Sequence, residues 1–239
     1  MSFRDIYDVN TMLDYCASHK NAVVIGGGLL GLEAAYGLKQ RGMNVTVLHL
    51  TDRIMDRQLD DKASTMLKAS IEAKGIEIIT EANTEALLGQ EGHVQQLRLK
   101  DGRTLPADLV IFAVGIRPNM SLAQSAGLRC NRGVLVNDTM QTFDPSIYAV
   151  GECIEHRNQT FGLVEPLWGQ AFICASHLAE HGSLTFKAPT VPTQLKVSGC
   201  DVFSAGRIDI EVNEPKEDFE DIVLNDEKRQ IYKRIIIQK

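Results

Sequence analysis

The sequence predicts an α/β protein organised on a parallel sheet, and three stretches carry that expectation. The apolar run Ala22-Val23-Val24-Ile25 leads into Gly26-Gly27-Gly28-Leu29-Leu30-Gly31 and then a helical pattern from Leu32 to about Arg41. After Gly42, Asn44-Val45-Thr46-Val47-Leu48-His49-Leu50 reads as a second strand, and residues 107–114 form a third apolar run. Strands alternating with a helix in this order point to a parallel sheet.

The glycines at 26, 28 and 31 each have a physical job. Gly26 permits a tight turn out of the strand. Gly28, with no Cβ, lets a ligand approach the backbone. Gly31 lets the helix pack closely on the strand. The first-turn N–H groups of that helix lack intrahelical partners and lie at the positive end of its dipole. A diphosphate supplies the missing acceptors and the matching charge. The alternative is a glycine-rich strand–helix turn of some other α/β protein.

An acidic residue commonly closes the second strand of such a unit, about 20 residues after the glycines, where it binds ribose hydroxyls. Here that place holds His49, with Arg53 close behind. A neutral imidazole bonds a hydroxyl, whereas an imidazolium pairs with a phosphate. The choice between NADH and NADPH therefore stays open, leaning to NADH. A strand-end surface histidine is the bland alternative.

The remaining elements follow in order. Val9, Met12, Leu13 and Cys16 have helical spacing and predict a lead-in helix over residues 1–20. Residues 59–74 predict a second helix, with Ala63, Met66, Leu67, Ser70 and Ile71 on one stripe, ended by Gly75. Ile76-Glu77-Ile78-Ile79 is the next strand. Runs over 82–90 and 93–99, with a tight turn at Asp101-Gly102, predict an antiparallel meander leading into the apolar strand at 107–114. That strand exits through Gly115-Ile116-Arg117-Pro118-Asn119, at a sheet edge where ligands bind in open α/β sheets. Ile147 to Val150 predicts a strand, followed by Gly151 and Glu152. Pro166 predicts the start of an apolar helix running to about Glu180. Pro189 and Pro192 mark a linker. A strand pair over 194–203, an acidic stretch at 211–221 and hairpin strands around Asp226-Glu227 close the chain.

Composition narrows the class. The 239 residues carry a net charge of −6, with 44% hydrophobic and 23% charged residues, as in ordinary globular proteins. The acidic balance argues against a nucleic-acid partner. No apolar stretch approaches the ~20 residues needed to span a bilayer, and Met1-Ser2-Phe3-Arg4-Asp5 does not read as a secretory signal. The five cysteines, at 16, 130, 153, 174 and 200, form no CxxC or CxxxxC pair. They point to reduced thiols in a cytoplasmic protein, with no metal site and no redox dithiol.

Three motifs stand together: Gly26-Gly-Gly28-Leu-Leu-Gly31-Leu-Glu33-Ala-Ala, Ala113-Val-Gly115-Ile-Arg117-Pro118-Asn119, and Thr142 through Tyr148-Ala-Val-Gly151-Glu152. The combination resembles the FAD-dependent pyridine nucleotide-disulfide oxidoreductases, in their single-flavin branch without a dithiol. His49, Arg57-Gln58-Leu59-Asp60, Gly151-Glu152-Cys153 and Phe161-Gly162-Leu163-Val164-Glu165-Pro166-Leu167 are similar to the large subunits of NAD(P)H-dependent nitrite reductases. A rubredoxin- or ferredoxin-reductase-like flavoenzyme and a non-catalytic NAD(H)-binding redox module are the alternatives.

The resemblance implies a Rossmann-type NAD(P)-binding domain with a parallel sheet and β-meander, the C-terminal half of an FAD-binding domain, and the start of an α+β interface domain. Residues 1–20 would be a lead-in helix or FAD-domain remnant, 21–117 the NAD(P)H domain, 118–188 the second half of the FAD domain, and 189–239 a truncated C-terminal domain. It implies that Gly26, Gly28 and Gly31 bind the NAD(P)H pyrophosphate, with Leu29 and Leu30 of the first helical turn also at the cofactor. His49 and Arg53 would sit near the adenosine ribose, and Glu33 and Gly115 near the nicotinamide half. Gly151 and Glu152 would meet the flavin's ribityl–phosphate region, with Glu152 standing where the family usually has Asp. The helix at Pro166 and Leu167 would aim its N-terminus at the isoalloxazine ring. Hydride would pass from NAD(P)H to FAD, with no catalytic side chain and no nucleophilic role for Cys153. The electron partners would be downstream redox domains or a small subunit, and a homodimer is compatible with the resemblance. The first half of the FAD domain, the siroheme and the iron–sulfur cluster would belong to a longer protein.

Overall fold

A computed structural model describes residues 1–197, 199–210 and 214–239. The chain divides into two compact units, Met1–Val114 with Pro192–Lys239, and Gly115–Val191.

The first unit opens with α1 (Ile6–Ser18), capped by the Asp5 carboxylate, which accepts the Tyr7 and Asp8 amides. It continues through β1 (Asn21–Ile25), α2 (Leu29–Gln40), β2 (Asn44–Leu48), α3 (Asp61–Glu72) and β3 (Ile76–Ile79). A three-stranded antiparallel meander follows, β4 (Thr84–Gln90), β5 (His93–Leu99) and β6 (Thr104–Pro106), before β7 (Leu109–Phe112). β1, β2, β3 and β7 form one parallel sheet in the order β3-β2-β1-β7.

Strand alternation explains how this sheet is covered, because successive side chains leave opposite faces. Ala22, Val24, Val45, Val47, Leu109 and Ile111 enter the core shared with α2 and α3. Val23, Leu48 and Val110 face the other way, against Leu97 and Leu99 of the meander. The meander thus does on that face what a second layer of helices does in other doubly covered sheets.

The expected strand over 107–114 is shorter. Its ladder with β1 covers only Leu109–Phe112. The Ala107 amide donates instead to the Gln95 carbonyl of β5, tying that end to the meander.

The second unit contains α4 (Ser121–Ser125), β8 (Val134–Val136), β9 (Ile154–His156), β10 (Gln159–Thr160) and α5 (Val164–Leu178). β9 pairs with β8 in parallel and with β10 in antiparallel fashion. Met140, Ile154, Phe161, Ile173, Cys174 and Phe186 form its core. Glu155 is buried, and its carboxylate accepts the Arg132 and Gly133 amides and the Asn131 side-chain amide, at 2.7, 3.2 and 3.1 Å.

Two expectations here are corrected. Residues 147–150 are not a strand. Their backbone makes an isolated bridge between Gln141 and Tyr148 and turn bonds with Met140, Thr142 and Asp144, and no ladder forms among the described residues. The apolar helix starts at Val164, two residues before Pro166, with Leu163 as its N-cap. Proline is tolerated within the first turn because its missing N–H would have no intrahelical partner there.

The chain then rejoins the first unit with two hairpins, β11 (Thr193–Val197) with β12 (Cys200–Ser204), and β13 (Phe219–Asp226) with β14 (Ile231–Gln238). Ser198 of the first turn and residues 211–213 of the acidic stretch lie outside the described residues. Leu195, Val197 and Cys200 pack into the core of α2 and α3. The second hairpin is fastened at the start of α3: the Tyr232 hydroxyl and Arg234 guanidinium donate to Asp60 Oδ2 at 2.6 and 3.0 Å.

Candidate functional site

The turn between β1 and α2 is shaped by its glycines. Gly26 has φ +116°, and a Cβ there would lie 2.3 Å from the Ala113 carbonyl oxygen. Gly31 is tighter still, since its Cβ would meet the Gly26 carbonyl oxygen at 1.8 Å. Gly28 differs: a Cβ would meet nothing within 4 Å, so that side of the turn is open. Gly28 is the N-cap of α2 and supplies no side-chain acceptor to the first-turn amides. Leu29 and Leu30 stand in that first turn, Leu30 exposed, while Leu32 is buried. An uncapped helix N-terminus with an open, Cβ-free approach fits a pyrophosphate.

Gly27, given no role by the spacing argument, is clamped on both polar groups. Its amide donates to His49 Nδ1 at 3.0 Å, and its carbonyl accepts the Met55 amide at 2.9 Å. A Cβ on Gly27 would strike Ile54 Cγ2 at 2.8 Å. Ile54 and Met55 are fully buried, and Met55 adopts φ +50° to get there. The apolar pair Ile54-Met55 inside an otherwise polar stretch was the sequence signal for this contact.

His49 is therefore not a strand-end surface histidine. Its ring is largely buried and oriented by Gly27, and Nε2 stands 3.8 Å from Asp56 Oδ1. Arg53 is committed to Asp61 in an ion pair that raises its pKa further. Glu33 is half-buried, and its Oε1 receives the Lys196 amide of β11 at 3.3 Å.

The other sequence-derived positions belong to the second unit. Gly115 and Gly151 have φ of +96° and +103°, and a Cβ would meet nothing at either. The Gly151 amide donates to Gln170 Oε1 of α5 at 2.8 Å. Gln170 is fully buried, and its Nε2 has no partner among the described residues. Nothing in the spacing singled out Gln170; a lone glutamine in an apolar helix was the available signal. Glu152 follows Gly151 directly and is half-buried. Leu167 packs against the unit's core, and the N-terminus of α5 has no side-chain cap. The open side of Gly151 and the uncapped, positive N-terminus of α5 suit an anionic group. Burial pushes the Cys153 thiol up, so it is a poor nucleophile near neutral pH. All five cysteines are free, no metal-ligand cluster occurs among the described residues, and no described helix is long and apolar enough to cross a membrane.

Comparison with known proteins places this architecture. A family profile described as pyridine nucleotide-disulphide oxidoreductase matches residues 2–171, and one described as rubredoxin NAD+ reductase C-terminal domain matches 192–239. The chain is 48% identical to a nitrite reductase [NAD(P)H] of Bacillus subtilis (strain 168), covering 99% of the chain and 29% of that protein. It is 41% identical to the assimilatory nitrate reductase electron transfer subunit of the same organism, covering 98% and 30%. The chain thus spans less than a third of either relative. The ferredoxin reductase for the CYP199A2 system from Rhodopseudomonas palustris shares the fold, with a TM-score of 0.85, 23% identity, and 100% and 58% of the two chains covered. The profile match over most of the chain, with the parallel sheet and glycine turn behind it, shows that this chain belongs to the pyridine nucleotide-disulphide oxidoreductase family.

Proposed function

We propose that this chain is the nicotinamide-binding and partial flavin-binding portion of an NAD(P)H-dependent flavoprotein oxidoreductase of the nitrite reductase type. The observation that carries the reading is the open, uncapped N-terminus of α2 behind Gly26, Gly28 and Gly31. In this reading the segment 21–117 holds NAD(P)H, 118–188 contributes to the FAD site, and 189–239 begins an interface domain. NAD(P)H supplies a hydride and FAD accepts it; the protein's share is alignment and electrostatics.

The chain's residues have separate tasks in that alignment. The amides of Leu29, Leu30 and Gly31 bind the pyrophosphate, and Gly28 lets it come close. His49 and Met55 hold Gly27 so that the turn is shaped before the ligand arrives, which lowers the ordering cost of binding. Gly151, held by Gln170, and Glu152 receive the ribityl–phosphate end of the flavin. The positive end of α5 favours negative charge on the ring. In the whole protein, siroheme and iron–sulfur centres of downstream domains or a small subunit would accept the electrons. The 48% identity to a nitrite reductase supports this acceptor over a rubredoxin-type one.

The test is anaerobic addition of NADH or NADPH to the whole protein that carries this chain, followed by its flavin absorbance. Bleaching by either nucleotide is expected. A colourless protein, or a bound flavin that neither nucleotide reduces, would overturn the reading and leave a nucleotide-binding module.

A further inference from the structure

We propose that Asp56, seated beside the His49 ring, is the carboxylate that selects NADH over NADPH. This rests on the nicotinamide-binding reading above. The end of β2 carries His49 where an acid is expected, yet a carboxylate comes back to the same place from the following loop. Asp56 Oδ1 stands 3.8 Å from His49 Nε2, and Asp56 Oδ2 takes a long bond from the Thr51 hydroxyl at 3.4 Å. The Asp56 side chain keeps 35% of its surface exposed, so a ligand can reach it. Its neighbours Ile54 and Met55 are fully buried, and Met55 is bonded to Gly27, so the loop has a fixed seat.

The hydrogen bonds assign the His49 proton. Nδ1 accepts the Gly27 amide, so the ring is the neutral tautomer with its proton on Nε2. That N–H is buried without a partner among the described residues. A donor on His49 next to an acceptor on Asp56 complements a hydroxyl, which accepts from one and donates to the other. A phosphate monoester offers only acceptors and carries a charge of about −1.5 to −2. It would meet the Asp56 carboxylate with no imidazolium to offset it. From 52 to 61 the loop holds four aspartates against Arg53 and Arg57, and Arg53 is already paired with Asp61. Arg57 is the remaining guanidinium and the natural control.

Calorimetric titration of the chain with NADH and with NADPH tests this. The wild type is expected to bind NADH at least about tenfold more tightly, as expected for like charges set against each other. Asp56→Asn and Asp56→Ala are expected to shrink that ratio to within about threefold by removing the repulsion, while Arg57→Gln preserves the NADH preference. Equal affinities in the wild type, a preference for NADPH, or an unchanged ratio in folded Asp56 variants would overturn the proposal. Binding of neither nucleotide would overturn the nicotinamide reading itself, whereas equal binding of both spares that reading and removes only this inference. A second readout needs no variant: in nitrogen-15 NMR spectra, His49 Nδ1 should be unprotonated and Nε2 should shift with NADH. A doubly protonated ring in the free chain would overturn the assignment.

Discussion

Gly31 and Gly26 approach so closely that a Cβ on Gly31 would stand 1.8 Å from the Gly26 carbonyl oxygen. Backbone atoms cannot yield as a flexible side chain does. Gly31→Ala should therefore push α2 off β1 and cost at least about 1–3 kcal/mol of overpacking. Gly28→Ala is the informative contrast, because a Cβ there meets nothing. It should change stability by less than about 0.5 kcal/mol while weakening NADH binding by about tenfold or more through lost close approach. Denaturant unfolding and nucleotide titration of the two variants separate packing from binding. Equal effects on both measurements would refute the division of labour.

Gln170 holds Gly151 in the second unit through one bond of 2.8 Å. Gln170→Leu leaves the Gly151 amide without its acceptor, which costs about 1–3 kcal/mol, part of which returns because the unpartnered Nε2 is removed too. A net loss of about 1 kcal/mol is expected. Amide hydrogen exchange at Gly151 should speed up, and the whole protein should hold its flavin less tightly. Unchanged exchange would show that Gln170 does not position this turn.

Asp60 is both the N-cap of α3, accepting the Ala63 amide, and the acceptor for Tyr232 and Arg234. Asp60→Ala removes all three bonds at once. A loss of about 1–3 kcal/mol is expected, combining a lost cap with a Tyr232 hydroxyl left without its acceptor, while Arg234 keeps its pair with Asp221. Tyr232→Phe removes a single bond and should cost about 1 kcal/mol. Thermal unfolding of the two variants gives the comparison.

The same cluster sets a pH dependence at both ends. Burial raises the Asp60 pKa, but bonds from Tyr232, Ala63 and Arg234 outweigh it and hold the carboxyl below its ordinary value. A depressed carboxylate contributes stability above its unfolded pKa, and that contribution is lost as pH falls through the folded one. Stability should thus decline below about pH 4, less steeply in Asp60→Asn. Tyr232 has the opposite sign: burial, then the bond to Asp60, raise it from 10.0 to about 12. Its contribution is complete below 10.0 and disappears as pH rises toward 12. A phenolate titration missing one late-ionising group in Tyr232→Phe would establish this.

Elements with a local cause were legible in the sequence. The βαβ unit, the meander and both C-terminal hairpins follow from apolar periodicity punctuated by glycine, at 26, 42, 75, 92 and 102 for example. Residues 147–150 failed because apolar content alone does not make a strand; a ladder partner does, and only the Gln141–Tyr148 bridge forms. Pro166 marked its helix correctly but not the first residue, since proline fits anywhere in a turn whose amides are unpaired.

The sequence by itself determined the fold class, the glycine turn and the family, because these depend on spacing along the chain: period 2 in strands, the i, i+2, i+5 glycines, and helix-opening order. Only the tertiary structure decided what His49 does. Its ring is oriented by the Gly27 amide across a turn, and Asp56 reaches it from a loop whose course depends on Ile54 and Met55 being buried. Gln170 and Gly151 meet for the same reason, from segments 19 residues apart. Hydrogen bonds act over about 3 Å in space, and no spacing in the chain specifies which distant groups packing will bring that close.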